Sequence, residues 1–356
     1  MKKSMFMSIV LIIVLAQICS ATIINVPSQE STIQAGINAA SIGDTVLVAD
    51  GTYTGDGNRD IDFGGKDVAV ISVNGPQTTI LDLEGTDETP HRAFNFVNGE
   101  TSDAKLIGFT IKNGYGTYSH DNYEGGAILL DGASPTIEFC VFIDNDGKWQ
   151  GGAVSSFSST SIFNNCTFTQ NSARYGGGLY ANGAQLTLNN CIIAFSSKGS
   201  AVNCIYEGSF TLHCCNLFGN IDGDYVDCAS DQADINGNIS ADPLFCDLDN
   251  KDISISASSP CNALQNSCNV LIGAGDIGCG QYLCGDANGD LVVNISDAVY
   301  LIGYIFSGGA EPDPYLSGDA DCNGRINLTD IVYIIKFAFM DGHTPCDPNG
   351  DGLPDC

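Results

Sequence analysis

Between residues 22 and 245 the chain consists of short runs of Ile, Val, Leu, Phe and Thr separated by Gly, Asn, Asp and Ser. This pattern is typical of short strands and contains no long helical period. Three segments, YEGGAI, WQGGAV and RYGGGL, recur along it and begin at Tyr123, Trp149 and Arg174. The repeating unit is therefore about 25 residues long, which accommodates three short strands and predicts a solenoid of stacked β-coils.

Stacking of equivalent residues predicts files that run from coil to coil. Three cysteines recur with the spacing of the glycine pairs and predict one internal file: Cys140, Cys166 and Cys191. Two asparagine files are predicted at the bends: Asn145 with Asn171, and Asn165 with Asn190. Asparagine suits a bend because it tolerates left-handed backbone and its amide can hydrogen bond to the next coil.

The open end of such a solenoid needs a cover, since a first coil would otherwise expose apolar surface and unpaired strand edges. Residues 31–34 have the S-x-x-Q capping pattern, and Ile33, Ile37 and Ala40 follow at helical spacing. We therefore expect a short amphipathic helix that begins at Ser31 and closes the N-terminal end.

From Gly285 the apolar residues acquire helical spacing, and a second repeat appears in which Asp286 matches Asp319 and Asp297 matches Asp330. Each copy is a twelve-residue loop with oxygen side chains at positions 1, 3, 5, 9 and 12, followed by an apolar helix. Calcium prefers six to eight oxygen ligands in this alternation, with position 7 contributing its backbone carbonyl. The predicted ligands of two Ca²⁺ ions are Asp286, Asn288, Asp290, Val292, Asn294 and Asp297 in the first loop, and Asp319, Asp321, Asn323, Arg325, Asn327 and Asp330 in the second.

Two features of these loops leave alternatives open. An Asp- and Asn-rich turn can also cap a helix without metal. Position 6 is Gly324 in the second loop but Leu291 in the first, where the preceding Gly289 could ease the turn. If one site binds calcium more weakly, we expect it to be the first.

Charge and cysteine content narrow the class of protein. The formal net charge of −29 argues against nucleic acid and anionic membranes as partners and favours divalent cations. Residues 1–21 have the pattern of a secretory signal, and no second apolar run is long enough to span a membrane. We expect a secreted bacterial protein, extracellular or at the cell surface, with disulfides. Four cysteines are available for local bridges near residues 246–283: Cys246, Cys261, Cys268 and Cys279.

The segment TIQAGINAASIGDTVLVADGTY resembles the entry segment of right-handed parallel β-helix proteins, the group that includes pectate lyases and pectin esterases. The GGAI and GGAV repeats resemble those of polymorphic outer membrane proteins. The resemblance implies a mainly β fold with a β-helix at residues 22–245 and a closing coil or cap at 246–283.

The duplicated loop and helix at residues 284–345, which lacks an entering helix, resembles the type I dockerin. The resemblance implies a small all-α domain, two calcium ions and docking to a cohesin module on another protein. Members of that family present a hydroxyl pair at loop positions 10 and 11, and those positions here hold Ile295, Ser296, Leu328 and Thr329. Residues 346–356 form an acidic tail flanked by cysteines, which is either a disulfide-stapled tail or a third, weaker cation loop.

Candidate chemistry on the β-helix is less specific. The candidate charged groups are Asp121, Glu124, Asp144, Asp146, Lys148 and Arg174. No complete catalytic motif is present, and the four histidines form no cluster in the sequence. Tyr123 and Trp149 occupy the same place in successive units and Tyr175 is displaced by one, so these rings either stack against sugars or pack a loop.

The favoured hypothesis is a β-helix that binds or degrades extracellular polysaccharide and is attached to a complex or cell surface by a dockerin. The alternative hypothesis is a structural or adhesive protein in which the β-helix is a stiff spacer without chemistry. An enzyme of the polysaccharide lyase or glycoside hydrolase class is left open.

Overall fold

The computed structural model describes residues 21–120, 122–279, 284–290, 292–312, 315–340 and 342–345. Four parts of the chain singled out above therefore lie outside the described residues: residues 1–20 of the predicted signal at 1–21, Asp121, Leu291 and the tail at 346–356. The chain divides into two compact units. The first is Met1–Ser240 with Ile272–Ala274, and the second is Ala241–Leu271 with Gly275–Cys356.

The described part of the first unit contains one α-helix and a long series of short strands. In chain order they are β1 (Ile23–Val26), α1 (Ile33–Ala39), β2 (Thr45–Val48), β3 (Gly51–Tyr53), β4 (Ile61–Asp62), β5 (Ala69–Ser72), β6 (Thr79–Asp82), β7 (Phe94–Phe96), β8 (Lys105–Ile107), β9 (Thr110–Lys112), β10 (Thr117–Ser119), β11 (Asn122–Glu124), β12 (Ile128–Asp131), β13 (Thr136–Glu138), β14 (Val141–Ile143), β15 (Asp146–Gln150), β16 (Val154–Phe157), β17 (Ile162–Asn164), β18 (Thr167–Thr169), β19 (Ser172–Tyr175), β20 (Leu179–Asn182), β21 (Gln185–Asn189), β22 (Ile192–Ala194), β23 (Val202–Ile205), β24 (Ser209–His213) and β25 (Asn216–Phe218).

These strands form three long parallel sheets, as the three strands per repeat predict. The first sheet has the order β1-β2-β5-β8-β13-β17-β21-β24, the second β25-β22-β18-β14-β9-β6-β3, and the third β23-β20-β16-β12-β7-β4. Strands from successive coils lie side by side in register, so the parallel β-helix is confirmed. A fourth, four-stranded sheet, β10-β11-β15-β19, was not expected from the sequence.

Apolar residues that repeat from coil to coil fill the interior. Phe142 and Phe168 stack with ring centroids 4.7 Å apart and planes at 4°. The predicted cysteine file is present, and Cys215 extends it by one coil; all four thiols are buried and unbridged. Burial raises the pKa of the Cys140 thiol to about 12, so this file packs as small apolar side chains.

Both predicted asparagine files are present, and hydrogen bonds connect their members from coil to coil. The Asn145 backbone N–H donates to Asn171 Oδ1 at 3.0 Å, and Asn171 Nδ2 donates to the Phe142 carbonyl at 2.8 Å. Each buried amide therefore hydrogen bonds to backbone groups of the neighbouring coil. Asn165 and Asn190 adopt positive φ angles of 51° and 54°, as a left-handed bend requires.

Helix α1 packs on β1, β2 and β4 and buries Ile33 and Ile37, as predicted for a covering helix. Its cap differs from the prediction. Thr32, not Ser31, is the N-cap, and its hydroxyl accepts from the Ala35 N–H at 3.2 Å. Gln34 bonds instead to the backbone of Asp62, donating to its carbonyl at 2.9 Å and accepting from its N–H at 2.8 Å. Gln34 thus ties α1 to β4 rather than completing a capping box.

The second unit contains β26 (Phe245–Asp247), β27 (Asp252–Ser256), β28 (Ile277–Cys279), α2 (Ile295–Ser307) and α3 (Leu328–Phe339). The three strands form one small sheet, in which β27 is antiparallel to β26 and parallel to β28. Within it, Cys246 and Cys279 form one of the local bridges expected from the sequence. A second disulfide, Cys204 to Cys228, lies in the β-helix.

Candidate calcium module and aromatic strip

The position-12 carboxylate makes the same two backbone hydrogen bonds in both loops of the C-terminal module. In the first, the position-12 carboxylate of Asp297 accepts from the N–H of Asn294 at 2.8 Å and of Asn288 at 3.2 Å. In the second, Asp330 accepts from Asn327 at 2.8 Å and from Asp321 at 3.2 Å. The duplication is therefore a repeat of geometry as well as of sequence.

Each loop gathers three carboxylates into one small volume. One oxygen from each member of a set lies within 4.8 Å of the others, and the sets are Asp286, Asp290 and Asp297, and Asp319, Asp321 and Asp330. Burial and, to a lesser extent, the neighbouring carboxylates raise the pKa of Asp330 to about 6, against hydrogen bonds that lower it. The pKa of Asp297 is raised for the same principal reason, burial. Like charges held this closely favour a cation between them.

The donor set fits calcium. The clustered ligands are carboxylate oxygens, the atoms that a hard cation prefers, and no thiol or imidazole belongs to either set among the described residues. Asp321 Oδ1 is buried and has no hydrogen-bond partner in the part of the chain that the structure describes. A buried carboxylate oxygen in this position is costly unless a cation or proton satisfies it. The assignment of the individual residues as calcium ligands stays a prediction.

The predicted position-9 residues, Asn294 and Asn327, cap the helices. Their Oδ1 atoms accept from the N–H groups of Ser296 at 2.8 Å and Thr329 at 2.9 Å. Both helices carry a full capping box, with Asp297 and Asp330 at the third helical position. Helix capping and carboxylate clustering thus occur together in each loop rather than excluding one another.

The position-7 residues place their carbonyls beside these caps. Asn294 Nδ2 donates to the Val292 carbonyl at 2.9 Å, and Asn327 Nδ2 donates to the Arg325 carbonyl at 3.2 Å. Each cap side chain therefore also bonds to the backbone group expected to face the metal.

The backbone of the two loops can be compared at positions 4 and 6. Gly324 at position 6 has a positive φ of 80°, whereas its counterpart Leu291 lies outside the described residues. Gly289 at position 4 has a φ of 75°. The equivalent residue of the second loop, Cys322, also has a positive φ, of 55°. A left-handed backbone is therefore common to position 4 of both loops, and Gly289 adopts it without a side chain to strain.

Helices α2 and α3 bury a duplicated core and expose a duplicated apolar stripe. The core pairs Ala287 with Ala320, Ala298 with Ile331, and Leu301 with Ile334, each at the same offset as the loops. The exposed stripe of α2 contains Ile295, Val299, Ile302 and Phe306, and that of α3 contains Leu328, Val332 and Phe339. Sequence reasoning identified only Ile295 and Leu328. The signal for the others was their helical spacing from these two, which places them on one face.

The hydroxyls at position 11 bond to position 3 of their own loop. Asn288 Nδ2 donates to Ser296 Oγ at 2.8 Å, and Thr329 Oγ1 donates to Asp321 Oδ2 at 2.6 Å. Each hydroxyl therefore links its candidate calcium loop to the exposed helical face that begins beside it.

On the β-helix, the fourth sheet places aromatic residues side by side. Glu124 pairs with Gln150 and Gln150 with Tyr175, so Tyr123 lies level with Trp149 while Tyr175 is displaced by one position. This is the arrangement that the repeats predict. Tyr118, on β10, adds a fourth ring that is 63% exposed and lies 5.4 Å from the Tyr123 ring. We call Tyr118, Tyr123, Trp149 and Tyr175 the aromatic strip.

Basic side chains lie close to three of these rings. Lys148 Nζ lies 4.4 Å from the Tyr123 ring centroid, and the Arg174 guanidinium lies 4.8 Å from Trp149 and 5.4 Å from Tyr175. Lys148 is also paired with Asp87 at 2.5 Å. The strip therefore presents alternating rings and cations, a surface that combines stacking with cation–π contacts.

The candidate carboxylates lie in different environments. Glu124 is completely buried and its Oε1 is 2.7 Å from His120 Nδ1. Asp146 Oδ1 accepts from the Lys148 N–H at 2.7 Å within its own turn. His120 also reaches Asp131, with Nε2 3.3 Å from Oδ2. This histidine between two carboxylates was missed by sequence reasoning, because Asp131 comes from a different sheet.

Comparison with known proteins identifies the C-terminal module. Residues 284–337 match the family model described as the dockerin type I domain. They form a dockerin type I domain. No curated protein matches the chain. No helix among the described residues is long and apolar enough to cross a membrane.

Two solved structures resemble the chain with low similarity. One is a pectin methylesterase in complex with hexasaccharide VII, at 12% identity and a TM-score of 0.33, over 57% of this chain and 64% of that one. The other is a mutant pectin methylesterase in complex with hexasaccharide IV, at 9% identity and a TM-score of 0.31, over 57% and 80%. The chain thus spans less than two thirds of the first, and neither similarity bears on its ligand.

Proposed function

We propose that this chain is a secreted bacterial protein whose β-helix binds extracellular polysaccharide and whose dockerin attaches it, in a calcium-dependent manner, to a cohesin on another protein. The observation that carries the attachment is the pair of matched loops, each with three clustered carboxylates, within a segment that matches the dockerin model.

Two Ca²⁺ ions would be held by the side chains at loop positions 1, 3, 5, 9 and 12 and by the carbonyls of Val292 and Arg325. Bound calcium supplies positive charge that offsets the repulsion within each cluster, and it thereby couples metal binding to folding of the loops. The chain's own part is to fix the geometry, because Asp297 and Asp330 connect each cluster to the N-terminus of a helix.

The cohesin would dock on the exposed stripes of α2 and α3, together with Ser296 and Thr329. Beside α3 the surface forms a shallow cavity of about 300 Å³, lined by Asp321, Leu328, Thr329, Val332, Tyr333 and Lys336. Exposed apolar residues rimmed by polar ones are typical of protein interfaces. Because Thr329 bonds to Asp321, loss of calcium from that cluster would also disturb the docking face.

Polysaccharide would bind along the aromatic strip. Rings at the surface of successive coils offer faces to sugar rings, and Lys148 and Arg174 offer donors to sugar oxygens. Trp149 is 37% exposed and Tyr175 is 41% exposed, so both rings retain surface for contact.

Binding to an immobilised type I cohesin module, with calcium and with chelator, tests the attachment. We expect binding only with calcium, and Val332→Asp should weaken it at least tenfold because a charge would enter the apolar stripe. Val73→Asp, at a similarly exposed apolar position on the β-helix, should leave binding unchanged. Equal binding in chelator would overturn the calcium dependence.

Affinity electrophoresis of the full chain in gels containing pectin, alginate or xylan tests the polysaccharide proposal. Trp149→Ala should abolish retardation, whereas Phe139→Ala, which removes another half-exposed ring, should not. Retardation with release of soluble products would indicate an enzyme. Absence of retardation in all gels would favour the spacer hypothesis.

A further inference from the structure

The hairpin formed by β10 and β11 carries two of the four rings of the aromatic strip, Tyr118 and Tyr123. Thr117 and Glu124 form the base of the hairpin, and the buried Arg92 bonds to both. Its Nη2 donates to the carbonyls of Glu124 at 2.9 Å and Thr117 at 3.2 Å. Glu124 continues this base by pairing with Gln150 of β15. These contacts fix the two ends of the hairpin but not its tip.

His120 lies at the tip and joins it to the third sheet. Its Nδ1 is 2.7 Å from Oε1 of Glu124, on the hairpin itself. Its Nε2 is 3.3 Å from Oδ2 of Asp131, on β12, and its ring stacks on Phe157 of β16 at 4.3 Å and 17°. Among the described residues, His120 therefore joins the hairpin to β12 and β16 through its contacts with Asp131 and Phe157.

The bond to Asp131 depends on a proton. Both ring nitrogens of a charged imidazolium donate, so His120 can serve both carboxylates at once. A neutral imidazole carries one N–H, and the shorter contact to Glu124 places it on Nδ1. The lone pair of Nε2 would then face the carboxylate of Asp131, and two acceptors repel one another.

We propose that protonated His120 clamps the hairpin tip to Asp131, and that deprotonation releases the tip and displaces Tyr118 and Tyr123 from the aromatic strip. The strip would then bind polysaccharide more tightly in mildly acidic than in mildly alkaline surroundings. This inference rests on the proposed function for its consequence, although the clamp itself can be measured without any sugar.

The charged groups around His120 give the direction of the effect. Glu124 and Asp131 raise the pKa of His120 above its ordinary value of about 6.5, against partial burial, which lowers it. Because the folded-state pKa is raised, the clamp is complete below the ordinary value and is lost as pH rises through the raised one. Behind Glu124, burial lowers the pKa of Arg92 to about 10 and raises that of Tyr180 to about 12, so neither titrates in this range.

Hydrogen exchange of the full chain with calcium, corrected for intrinsic rates, tests the clamp between about pH 5 and about pH 8. We expect exchange of the hairpin amides to increase about fivefold at the higher pH, the scale of a partly exposed ion pair. Exchange of β12 and β16 should not change.

Two variants make the test specific. Asp131→Asn should abolish the pH dependence and keep the tip protected at high pH, because its amide can donate to neutral Nε2. His120→Gln should give rapid exchange at both pH values. His213→Gln changes an exposed histidine on the first sheet and should retain the wild-type profile. Equal exchange at both pH values in the wild type, or an unaltered increase in Asp131→Asn, would overturn the clamp.

Gel retardation by pectin, alginate and xylan at the same two pH values separates the clamp from the proposed function. Retardation that weakens at high pH in the wild type but not in Asp131→Asn supports both. A pH-dependent hairpin without retardation in any gel supports the clamp and contradicts the polysaccharide proposal. Retardation without any change in hairpin exchange contradicts the clamp alone.

Discussion

The β-helix and the dockerin domain are both built from repeats, but they treat buried polar groups in opposite ways. In the β-helix, the buried amide of Asn171 accepts from one backbone N–H and donates to one carbonyl, and Asn145 does the same on the next coil. In the dockerin, the buried carboxylates of Asp297 and Asp330 are gathered beside other carboxylates.

The two domains should therefore differ in whether their stability depends on a bound ion. A buried neutral amide that satisfies backbone groups needs nothing from solution. A cluster of three carboxylates needs a counter-ion, since protonation is otherwise the way to relieve it. Attachment should therefore respond to calcium, whereas the surface that we propose for polysaccharide should not.

The largest expected effect is on the apolar interior of the β-helix. Phe168→Ala removes a buried ring stacked on Phe142 and should lower the free energy of unfolding by about 3–5 kcal/mol. Denaturant unfolding followed through strand-specific signals measures this change, and calcium affinity should be unaltered. Phe139→Ala, at a ring that is 48% exposed, should cost much less. Equal losses in the two variants would contradict the assignment of the core.

The asparagine file gives a smaller effect in the same unit. Asn171→Ala leaves the N–H of Asn145 and the carbonyl of Phe142 without their side-chain partner and should cost about 1–3 kcal/mol. The matched control is Asn164→Ala, because the Asn164 amide bonds to the side chains of Glu138 and Asn189 on the outer face. An equal cost in both would show that the buried file has no special role.

The smallest effect is confined to one calcium loop. Asp297→Asn and Asp330→Asn keep the size of the position-12 side chain but remove its charge, so each should weaken one of two sites by at least about tenfold. Isothermal titration of the full chain with calcium measures both sites together. If either substitution abolished both sites equally, the two loops would not be independent.

The sequence predicts much of this architecture because residues at equivalent places in successive repeats lie at equivalent places in the structure. The regular spacing of Cys140, Cys166 and Cys191 places them in one buried file, and the constant offset of the second repeat brings equivalent loop residues to equivalent hydrogen bonds. Short-range rules were less exact, since two adjacent hydroxyl residues precede α1 and local spacing does not distinguish Ser31 from Thr32 as the N-cap. The first helical residue, Ile33, donates its N–H to Asn58 Oδ1 at 3.2 Å, a contact that short-range rules do not reveal.

The features that sequence reasoning missed depend on contacts between elements outside the regular register. The hairpin of β10 and β11 belongs to an excursion from one coil, and its residue His120 meets Asp131 from another sheet. In the same way, Arg174 is placed over Trp149 by pairing between β15 and β19, which turned the predicted apolar faces into a mixed aromatic and cationic surface.

The central claim is that one chain joins a calcium-independent β-helix to a calcium-dependent dockerin. Hydrogen exchange of the full chain, with calcium and after its removal by chelator, tests this claim most directly. The account predicts that α2 and α3 lose protection on chelation while β12, β16 and β20 keep theirs. Protection of α2 and α3 that is unchanged by the chelator, or equal loss in both units, would contradict it.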